Sequence, residues 1–388
     1  MSEIKVNSIK GVGASVAALS INNSDGTCIA NITNNLSNRN LVINGAMQVA
    51  QRGTSSTVDG YGSVDRFLTT YGGTDEAPTQ AQVDVASGTT PYTLGFRKAL
   101  RITNGNQTSG AGADDSILVR YKVEDQDIAT SGWNYLSSSS NITFSFWVKS
   151  SVAQNFYFDL KTSNGSVYNY VMETGSLSAD TWTKVTKTIS GNSNIILNND
   201  NGIGLSLTWR MFNGTNETGT RPLNAWAARD AASQTPDQTS TWYTTNDATF
   251  EITGVQLEVG SVATDFEHPR SFGDELARCQ RYFECSNSYG TVPLTDTGAG
   301  QFIQNASSNG NQNCQQHLNF KVSKRANPTM TGGGNTLGSW GYGRSGAGGY
   351  TSVTFDEIGF NSCRAYNSVG ANHVVCETFG HWKAEAEL

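Results

Sequence analysis

The chain has 388 residues, of which 15% are charged and 41 are glycine, and its formal net charge is −7. This composition is typical of a turn-rich β protein with two domains. The acidic balance and the lack of a basic stripe argue against nucleic-acid binding through phosphates, and the lack of an apolar run of about 18 residues argues against a membrane span or a signal peptide.

Residues 1–38 contain three short apolar segments, and an Asp-Gly turn separates the last two. They predict strands near Ile4–Ile9, Val16–Ile21 and Cys28–Ile32. Three strands of this length cannot bury a core alone, so we expect them to pair with copies of themselves or to dock onto a larger body. We interpret them as an attachment and oligomerisation segment; the alternative is a disordered tail.

Residues 39–270 carry repeated two-residue alternation with one apolar face. The clearest strands contain Ile117 to Val123, Ile142 to Val148, Phe156 to Leu160 and Ile203 to Trp209. Several such strands between Gly, Asn and Ser turns predict two antiparallel sheets packed face to face, a jelly-roll-like β-sandwich. The pattern TFSFWVKSS, with the strands after it, also resembles jelly-roll carbohydrate-binding modules in fold.

Aromatic side chains of this sandwich are candidates for sugar contacts, because flat rings stack on the apolar faces of pyranoses. Phenylalanines at alternating positions, such as Phe144 and Phe146, are expected in the core. Trp226 and Trp242 flank the long polar loop AARDAASQTPDQTST and are our candidates for exposed glycan-binding residues in this region.

Residues 249–285 join a strand to a short helix. Alternation from Phe250 to Val259 changes phase at Gly254, which predicts a β-bulge. Ser271 stands three residues before Asp274 and predicts a helix N-cap. The connecting helix at 271–285 then carries a short heptad seam, formed by Phe272, Leu276, Cys279 and Phe283. This seam either lies on the chain's own domain or packs against copies of itself.

Residues 286–388 predict a second, smaller β domain, with strand-like pieces at Gln301–Gln304, Gln316–Val322, Ser352–Phe360 and His373–Phe379. Between them lies the glycine-rich segment Thr331–Tyr350, which we interpret as an adaptable loop. Its candidate receptor- or glycan-binding residues are Trp340, Tyr342, Arg344 and Tyr350. The alternative is a long connection that packs on a neighbouring subunit.

The sequence predicts neither a cofactor nor a metal site nor catalysis. The six cysteines form no Cys-x-x-Cys pair, and a protein assembled in a cytoplasm keeps free thiols. No hydrolase, metalloprotease or nucleotide-binding motif is present. Three acidic pairs are clustered in sequence, but glycoside chemistry depends on their separation in space, which the sequence does not give; they are Asp114 with Asp115, Glu124 with Asp127, and Asp356 with Glu357.

Two blocks of the chain carry a resemblance to a known family. NRNLVINGAMQVAQRGTS at Asn38–Ser55 and VQLEVGSVATDFEHPRSFGDELARCQRYFE at Val255–Glu284 are similar to segments of tail-fibre and related virion proteins of marine and cyanobacterial phages. The resemblance implies a structural protein of the virion, usually trimeric and often involved in host attachment. It identifies neither a receptor nor an active site.

The function predicted from these observations is a homotrimeric tail fibre that attaches to a host-surface glycan or protein. Its N-terminal segment would contact other tail proteins, and three copies of each distal domain would strengthen adhesion by multivalency. One alternative is a virion protein that binds no receptor, such as a head fibre, a decoration protein or a tail adaptor. Another is a glycan-cleaving tailspike, against which stands the lack of a β-helical repeat.

Overall fold

The computed structural model describes residues 8–9, 19–21, 28–30, 39–306, 313–334, 337–344, 347–368 and 376–388. The N-terminal strands are β1 (Ser8–Ile9), β2 (Leu19–Ile21) and β3 (Cys28–Ala30). They pair antiparallel in the order β1-β2-β3. The three strands predicted here are thus present in shorter form, and they pair with one another.

The strands between Ser55 and Val259 form a jelly-roll-like β-sandwich, and this confirms the predicted fold. In chain order its elements are β4 (Ser55–Ser56), β5 (Phe67–Gly72), β6 (Thr79–Asp84), α1 (Thr90–Thr93), β7 (Lys98–Thr103), β8 (Ser116–Glu124), α2 (Asp125–Ala129), β9 (Asn141–Ser150), β10 (Tyr157–Thr162), β11 (Tyr168–Glu173), β12 (Thr183–Ser190), β13 (Ile203–Asn213), β14 (Trp226–Ala228), α3 (Thr241–Thr244) and β15 (Thr249–Val259). The first sheet has the order β14-β11-β10-β13-β8-β5, and the second has the order β12-β9-β15-β7-β6-β4.

The sandwich core lies between the two sheets and is built from the predicted alternating positions. Phe144 and Phe146 on β9 face Trp209 on β13, with ring centroids 5.6 and 5.5 Å apart. All three rings are buried. Such tilted and edge-on contacts add stability beyond the burial of apolar area.

A short helix follows the sandwich. Helix α4 (Phe272–Gln280) begins where the capping pattern predicts, because the Ser271 hydroxyl accepts a hydrogen bond from the Asp274 amide at 3.1 Å. Its apolar side, with Leu276 and Cys279, packs inside the chain; this cluster consists of Ile43, Val49, Cys279 and Tyr282, with Leu276 and Leu388 partly buried around it.

The predicted oligomer seam is therefore wrong for most of its members. Cys279 is fully buried within the chain, and Phe283 lies beyond the helix in a strand, where it is also buried. Leu276 packs on the same internal cluster as Cys279. Phe272 alone is exposed, with its ring 5.0 Å from that of Tyr289. The heptad spacing reflects an amphipathic helix on its own domain, the other interpretation that the sequence allowed.

The C-terminal domain contains a further antiparallel sheet of eight strands. Its strands are β16 (Phe283–Cys285), β17 (Phe302–Ala306), β18 (Asn313–Asn319), β19 (Thr329–Gly333), β20 (Ser339–Arg344), β21 (Ala347–Asp356), β22 (Ser362–Ser368) and β23 (Cys376–Glu385). The sheet has the order β16-β23-β20-β21-β22-β18, and β17 and β19 also pair with β23. Strand β23 is central because it pairs with four others.

The glycine-rich segment at 331–350 is not the predicted loop, since most of it lies in β19, β20 and β21. Its glycines permit close packing of aromatic rings on the sheet. A Cβ atom at Gly341 would stand 2.1 Å from the Phe379 ring, and one at Gly380 would stand 2.3 Å from Trp340 Cδ1. Glycine here makes room for neighbouring rings rather than for a flexible chain.

Charged side chains tie the C-terminal domain to the sandwich. Arg281 donates to both carboxylate oxygens of Glu124 at 2.9 Å, and Tyr282 donates to the same carboxylate at 2.5 Å. Burial raises the pKa of Glu124, but these hydrogen bonds outweigh it and hold that pKa below its ordinary value. Arg66, fully buried, pairs with Glu387 near the end of the chain. The two domains are thus joined by buried ionic contacts.

Candidate functional site

The outer face of the second sheet carries a partly exposed tryptophan. Phe146 and Val148 on β9 point into the core, so Trp147 between them points outward. There it packs against a small apolar cluster. The cluster consists of Ala46, Val85, Phe96 and Ala99, with Val83, Tyr92, Trp147, Trp182 and Phe266 partly buried around it. Aromatic surface is therefore concentrated on an outer sheet face, outside the sandwich core.

The predicted bulge at Gly254 lies directly beneath this cluster. The pairing of β15 with β9 shifts register between Thr253 and Gln256, and Gly254 has a φ of 62°. A Cβ atom at this position would approach the Phe96 ring to 2.7 Å and Trp147 Cδ1 to 3.1 Å. The bulge glycine thus lets the two rings sit close together on the sheet.

We expect Gly254→Ala to lower the free energy of unfolding by about 2–3 kcal/mol, because it adds a clash to left-handed backbone strain. Gly175→Ala is a matched control, since Gly175 has a φ of 74° and nothing within 4 Å of an added Cβ. Its cost should be the backbone part alone, about 1 kcal/mol. Guanidinium denaturation measures both. Equal losses would mean that the contact with the rings has no energetic weight.

The segment after β15 supplies further rings to this surface. Phe266 and His268 each lie close to Phe96, with ring centroids 4.9 and 5.0 Å away, and they stand 4.9 Å from each other. The imidazole Nε2 of His268 lies 2.9 Å from the carbonyl oxygen of Leu94. Three rings from two segments thus form one wall.

Hydrogen bonds fasten residues 264–267 onto the sheet. Glu258 accepts from the Thr264 amide at 2.8 Å and from its hydroxyl at 2.6 Å. Gln256 accepts from the Glu267 amide at 2.8 Å, and the Glu267 carboxylate in turn accepts from the Asn40 amide at 2.9 Å. The chain's own hydrogen bonds therefore hold the wall in place on the sheet.

Two cavities open along this wall. One, of about 210 Å³, is lined by Leu94, Phe96, Ser145, Trp147, Lys184, Gly254, Thr264, Asp265, Phe266 and His268. The other, of about 340 Å³, is lined by Asn40, Val42, Gly45, Ala46, Phe266, Glu267, His268, Pro269, Arg270, Asp274, Glu275 and Arg278. The two cavities adjoin at Phe266 and His268, which line both, and we call the pair of cavities the aromatic groove.

The aromatic groove combines the two kinds of contact that a sugar ring requires. Trp147 and Phe266 offer partly exposed apolar surface, and Lys184 and Asp265 offer exposed charged hydrogen-bonding groups beside it. Rings stack on the apolar face of a pyranose, and polar groups bind its hydroxyls. The larger cavity adds charged side chains to this lining. They are the carboxylates of Glu267, Asp274 and Glu275 and the guanidinium groups of Arg270 and Arg278.

The two sandwich residues predicted as glycan contacts lie elsewhere. Trp242 is fully buried in the core and donates to the Thr249 carbonyl oxygen at 3.0 Å, so its assignment as an exposed contact is wrong. Trp226 is half-buried on the edge strand β14. Its indole N–H donates to the Ser190 carbonyl oxygen at 2.7 Å, and its ring stands 5.4 Å from Tyr170. Neither residue borders the aromatic groove.

The four candidate residues of the C-terminal domain also differ in exposure. Trp340 is fully buried and donates to the carbonyl oxygen of His381 at 2.9 Å, so it is a core residue and not a receptor contact. Tyr342 is half-buried, and Tyr350 is 43% exposed beside the Phe379 ring. The side chain of Arg344 lies outside the described residues. Tyr350 is thus the candidate of this group with an exposed ring.

Several reactive groups are structural. Cys279, Cys285 and Cys363 are buried free thiols, and burial raises the pKa of Cys285 to about 11. Of the acidic pairs, Glu124 is held by Arg281, and Asp356 accepts from Arg364 at 2.7 and 2.6 Å. Within the described residues, no group of three His, Cys, Asp or Glu could hold a metal ion, and no helix there could span a membrane.

Sequence reasoning missed the aromatic groove although one signal was present. Because Phe146 and Val148 were expected in the core, the alternation already required Trp147 to face outward. No comparable signal pointed to Phe266 and His268, which follow the last sandwich strand in a segment without periodicity. Their position depends on the hydrogen bonds that fold this segment back over β15.

Comparisons with known proteins give similarity of structure alone. No family model matches the chain, and no curated protein matches it. The enzymatically active domain of bacteriophage CBA120 tailspike protein 4 is 8% identical, with a TM-score of 0.31, and the match covers 57% of this chain and 22% of that one. The CBM22-1 xylan-binding domain of Paenibacillus barcinonensis Xyn10C is 11% identical, with a TM-score of 0.27, over 58% of this chain and 96% of that one.

Proposed function

We propose that this chain is a tail-fibre protein of a tailed phage and that its sandwich binds host-surface glycan in the aromatic groove. The observation that carries the binding proposal is the groove itself, in which fastened rings and exposed polar groups line two adjoining cavities. The fibre proposal depends on the two blocks that resemble tail-fibre-like proteins.

Those two blocks lie together in space, although about 200 residues separate them in sequence. The Val255 amide donates to the Gly45 carbonyl oxygen at 2.9 Å, and Asn40 donates to the Val255 carbonyl oxygen at 3.1 Å. The buried Glu275 carboxylate accepts from the Asn44 amide. Every residue that lines the larger cavity belongs to one block or the other. The resembling segments thus form one structural unit beside the groove.

Glycan binding should depend on Trp147. We expect Trp147→Ala to weaken binding to the preferred glycan of a bacterial-surface array by about 30-fold or more, as for a central aromatic contact. Tyr350→Ala is the matched control, because it removes an exposed ring from the other domain. Calorimetry on both variants decides between the surfaces. If Tyr350→Ala abolishes binding and Trp147→Ala does not, the contact lies in the C-terminal domain.

The proposed assembly is a homotrimer joined through residues 1–38, which would also contact other tail proteins. Light scattering tests it directly, since a trimer has three times the 41.6 kDa mass of the chain. A chain that lacks residues 1–38 should then be monomeric. A full-length monomer that binds neither cells nor glycans would favour a virion protein without a receptor-binding role.

A further inference from the structure

The outer face of the first sheet carries a concentration of positive charge. Arg120 on β8 lies directly opposite Thr208 on β13, and Thr208 lies opposite Asp159 on β10. One row along, Lys122 lies opposite Ser206, which in turn lies opposite Lys161. We call the side chains of Arg120, Lys122, Lys161 and Arg210 the basic face. All four project from the side of the sheet that faces away from the sandwich core.

This positive charge is poorly neutralised. Asp159, fully buried among these cations, pairs with Arg210 at 2.9 Å. Lys122 donates to the main-chain oxygen of Leu388. Within the described residues, neither Arg120 nor Lys161 forms an ion pair or a side-chain hydrogen bond. Two cations thus lie without partners on one face of a protein whose net charge is −7.

Buried polar atoms on the same face also lack partners. The Nε of Arg120 and the hydroxyl of Thr208 are buried and make no hydrogen bond in the described part of the chain. Both can donate, and arginine can only donate. The basic face therefore carries more hydrogen-bond donors than the described residues supply acceptors for.

Mutual repulsion acts on the basic face. Burial and, after it, the nearby charge of Arg120 lower the pKa of Lys161 to about 8, and the opposing effect of Asp159 is smaller. Burial and nearby Arg210 likewise lower the pKa of Arg120. Cations that are held together against repulsion, without a structural partner, are typical of a site for an anion.

We propose that the basic face binds the anionic groups of an acidic polysaccharide through Arg120 and Lys161. Arg120 and Lys161 are partly exposed, and their charged groups match the oxygens of a carboxylate or sulfate. A nucleic acid fits less well, because the chain offers no basic stripe that could follow a phosphate backbone. This surface lies on the sheet opposite the aromatic groove, so the proposal does not depend on sugar binding there.

Titration of polygalacturonate into the full chain tests the proposal, with heparin as a sulfated probe and dextran as a neutral control. We expect the wild type to bind at least one acidic polymer and the Arg120→Gln/Lys161→Gln variant to bind it about tenfold more weakly or worse. Lys98→Gln/Lys383→Gln is the matched control. It removes two charges that already pair with Asp84 and Glu385 elsewhere on the protein.

The pH dependence provides a second readout. The charged groups around Lys161 are Asp159, Arg120, Arg210 and Arg229, and with its pKa near 8 the lysine loses its charge as pH rises from 7 to 9. Affinity for the polyanion should fall over this range. Lys161→Arg should bind with little change between pH 7 and 9, since arginine stays protonated.

Two results would overturn the proposal. One is that the wild type binds neither acidic polymer, or binds single-stranded DNA more tightly than both. The other is that both double variants lose equal affinity, which would show that the polymer is attracted by overall positive charge and not by a specific site. Thermal unfolding of each variant confirms that it is folded. Arg120→Gln/Lys161→Gln should leave binding of a neutral glycan in the aromatic groove unchanged, because neither residue lines that groove, so failure of the aromatic groove and failure of the basic face give different results.

Discussion

Lys324→Met is expected to lower the free energy of unfolding of the C-terminal domain by about 3–5 kcal/mol. Lys324 and Glu284 form an ion pair, and both side chains are fully buried. Attraction between the two charges offsets much of the cost of removing them from water. Once the ammonium group is gone, Glu284 remains as a buried charge without its partner, and the folded state carries the whole cost.

The position of this pair explains why its loss should affect the junction between domains. Besides Glu284, the Lys324 ammonium donates to the carbonyl oxygens of Gln280 at 2.6 Å and Val322 at 3.1 Å. Glu284 also accepts from the Lys321 amide at 3.0 Å. One buried pair thus connects the end of α4, strand β16 and the segment after β18. No replacement apolar side chain can make these contacts.

Two further variants sharpen this test. Lys324→Met/Glu284→Leu removes both charges and should regain much of the lost stability, since an apolar pair of similar volume often replaces a buried ion pair. Asp84→Asn breaks the exposed pair with Lys98 and should change stability by about 0.5 kcal/mol or less. Guanidinium denaturation followed by near-ultraviolet circular dichroism measures all three. A small loss for Lys324→Met would mean that water reaches Glu284 in the folded protein.

The sequence predicted the sandwich well because local pattern determines it. Alternation of apolar and polar residues fixes which face of each strand is buried, and this pattern was visible for β8, β9, β10, β13 and β15. The helix cap at Ser271 and the bulge at Gly254 were predictable for the same reason, since both depend on neighbouring residues. Local signals were sufficient wherever a residue's partner lies close to it along the chain.

The junction and the aromatic groove depend on distant partners, which local pattern cannot show. Arg66 and Glu387 pair across 321 positions, and Arg281 and Glu124 across 157. The heptad spacing of α4 showed an apolar side but could not identify what covers it. The apolar side of α4 is covered by Ile43 and Val49, which are distant in sequence and meet the helix only in the folded chain. An amphipathic side predicts burial and leaves open whether the partner is this chain or another.

Composition misled where glycine was abundant. The segment at 331–350 has the composition of a flexible loop, yet most of it forms strands around large rings. Gly332 and Gly380 leave space for Trp340, since a Cβ atom at either would come within 3.2 Å of the indole. A glycine beside an aromatic residue in neighbouring strands can therefore indicate ring packing as readily as a turn.

Trp340→Ala tests this interpretation with a large expected effect, a loss of about 3–5 kcal/mol in the free energy of unfolding. The indole is fully buried, its ring stands 5.7 Å from that of Phe355, and its N–H donates to the carbonyl oxygen of His381 at 2.9 Å. Because glycines line part of its site, few neighbouring side chains can move in to fill the cavity. The loss should therefore fall at the upper end of this range.

Comparison of Tyr350→Ala with Trp340→Ala distinguishes a surface residue from a core residue in the same pair of strands. Tyr350 is 43% exposed, so we expect its removal to cost about 1 kcal/mol or less. Thermal and denaturant unfolding of both variants should then show a large difference between two aromatic residues that sequence reasoning had grouped as receptor contacts. A different result would contradict this interpretation: Trp340→Ala could leave stability intact and weaken attachment to cells. The indole would then have to be reachable from solvent. The segment would in that case act as the flexible loop that its composition suggests.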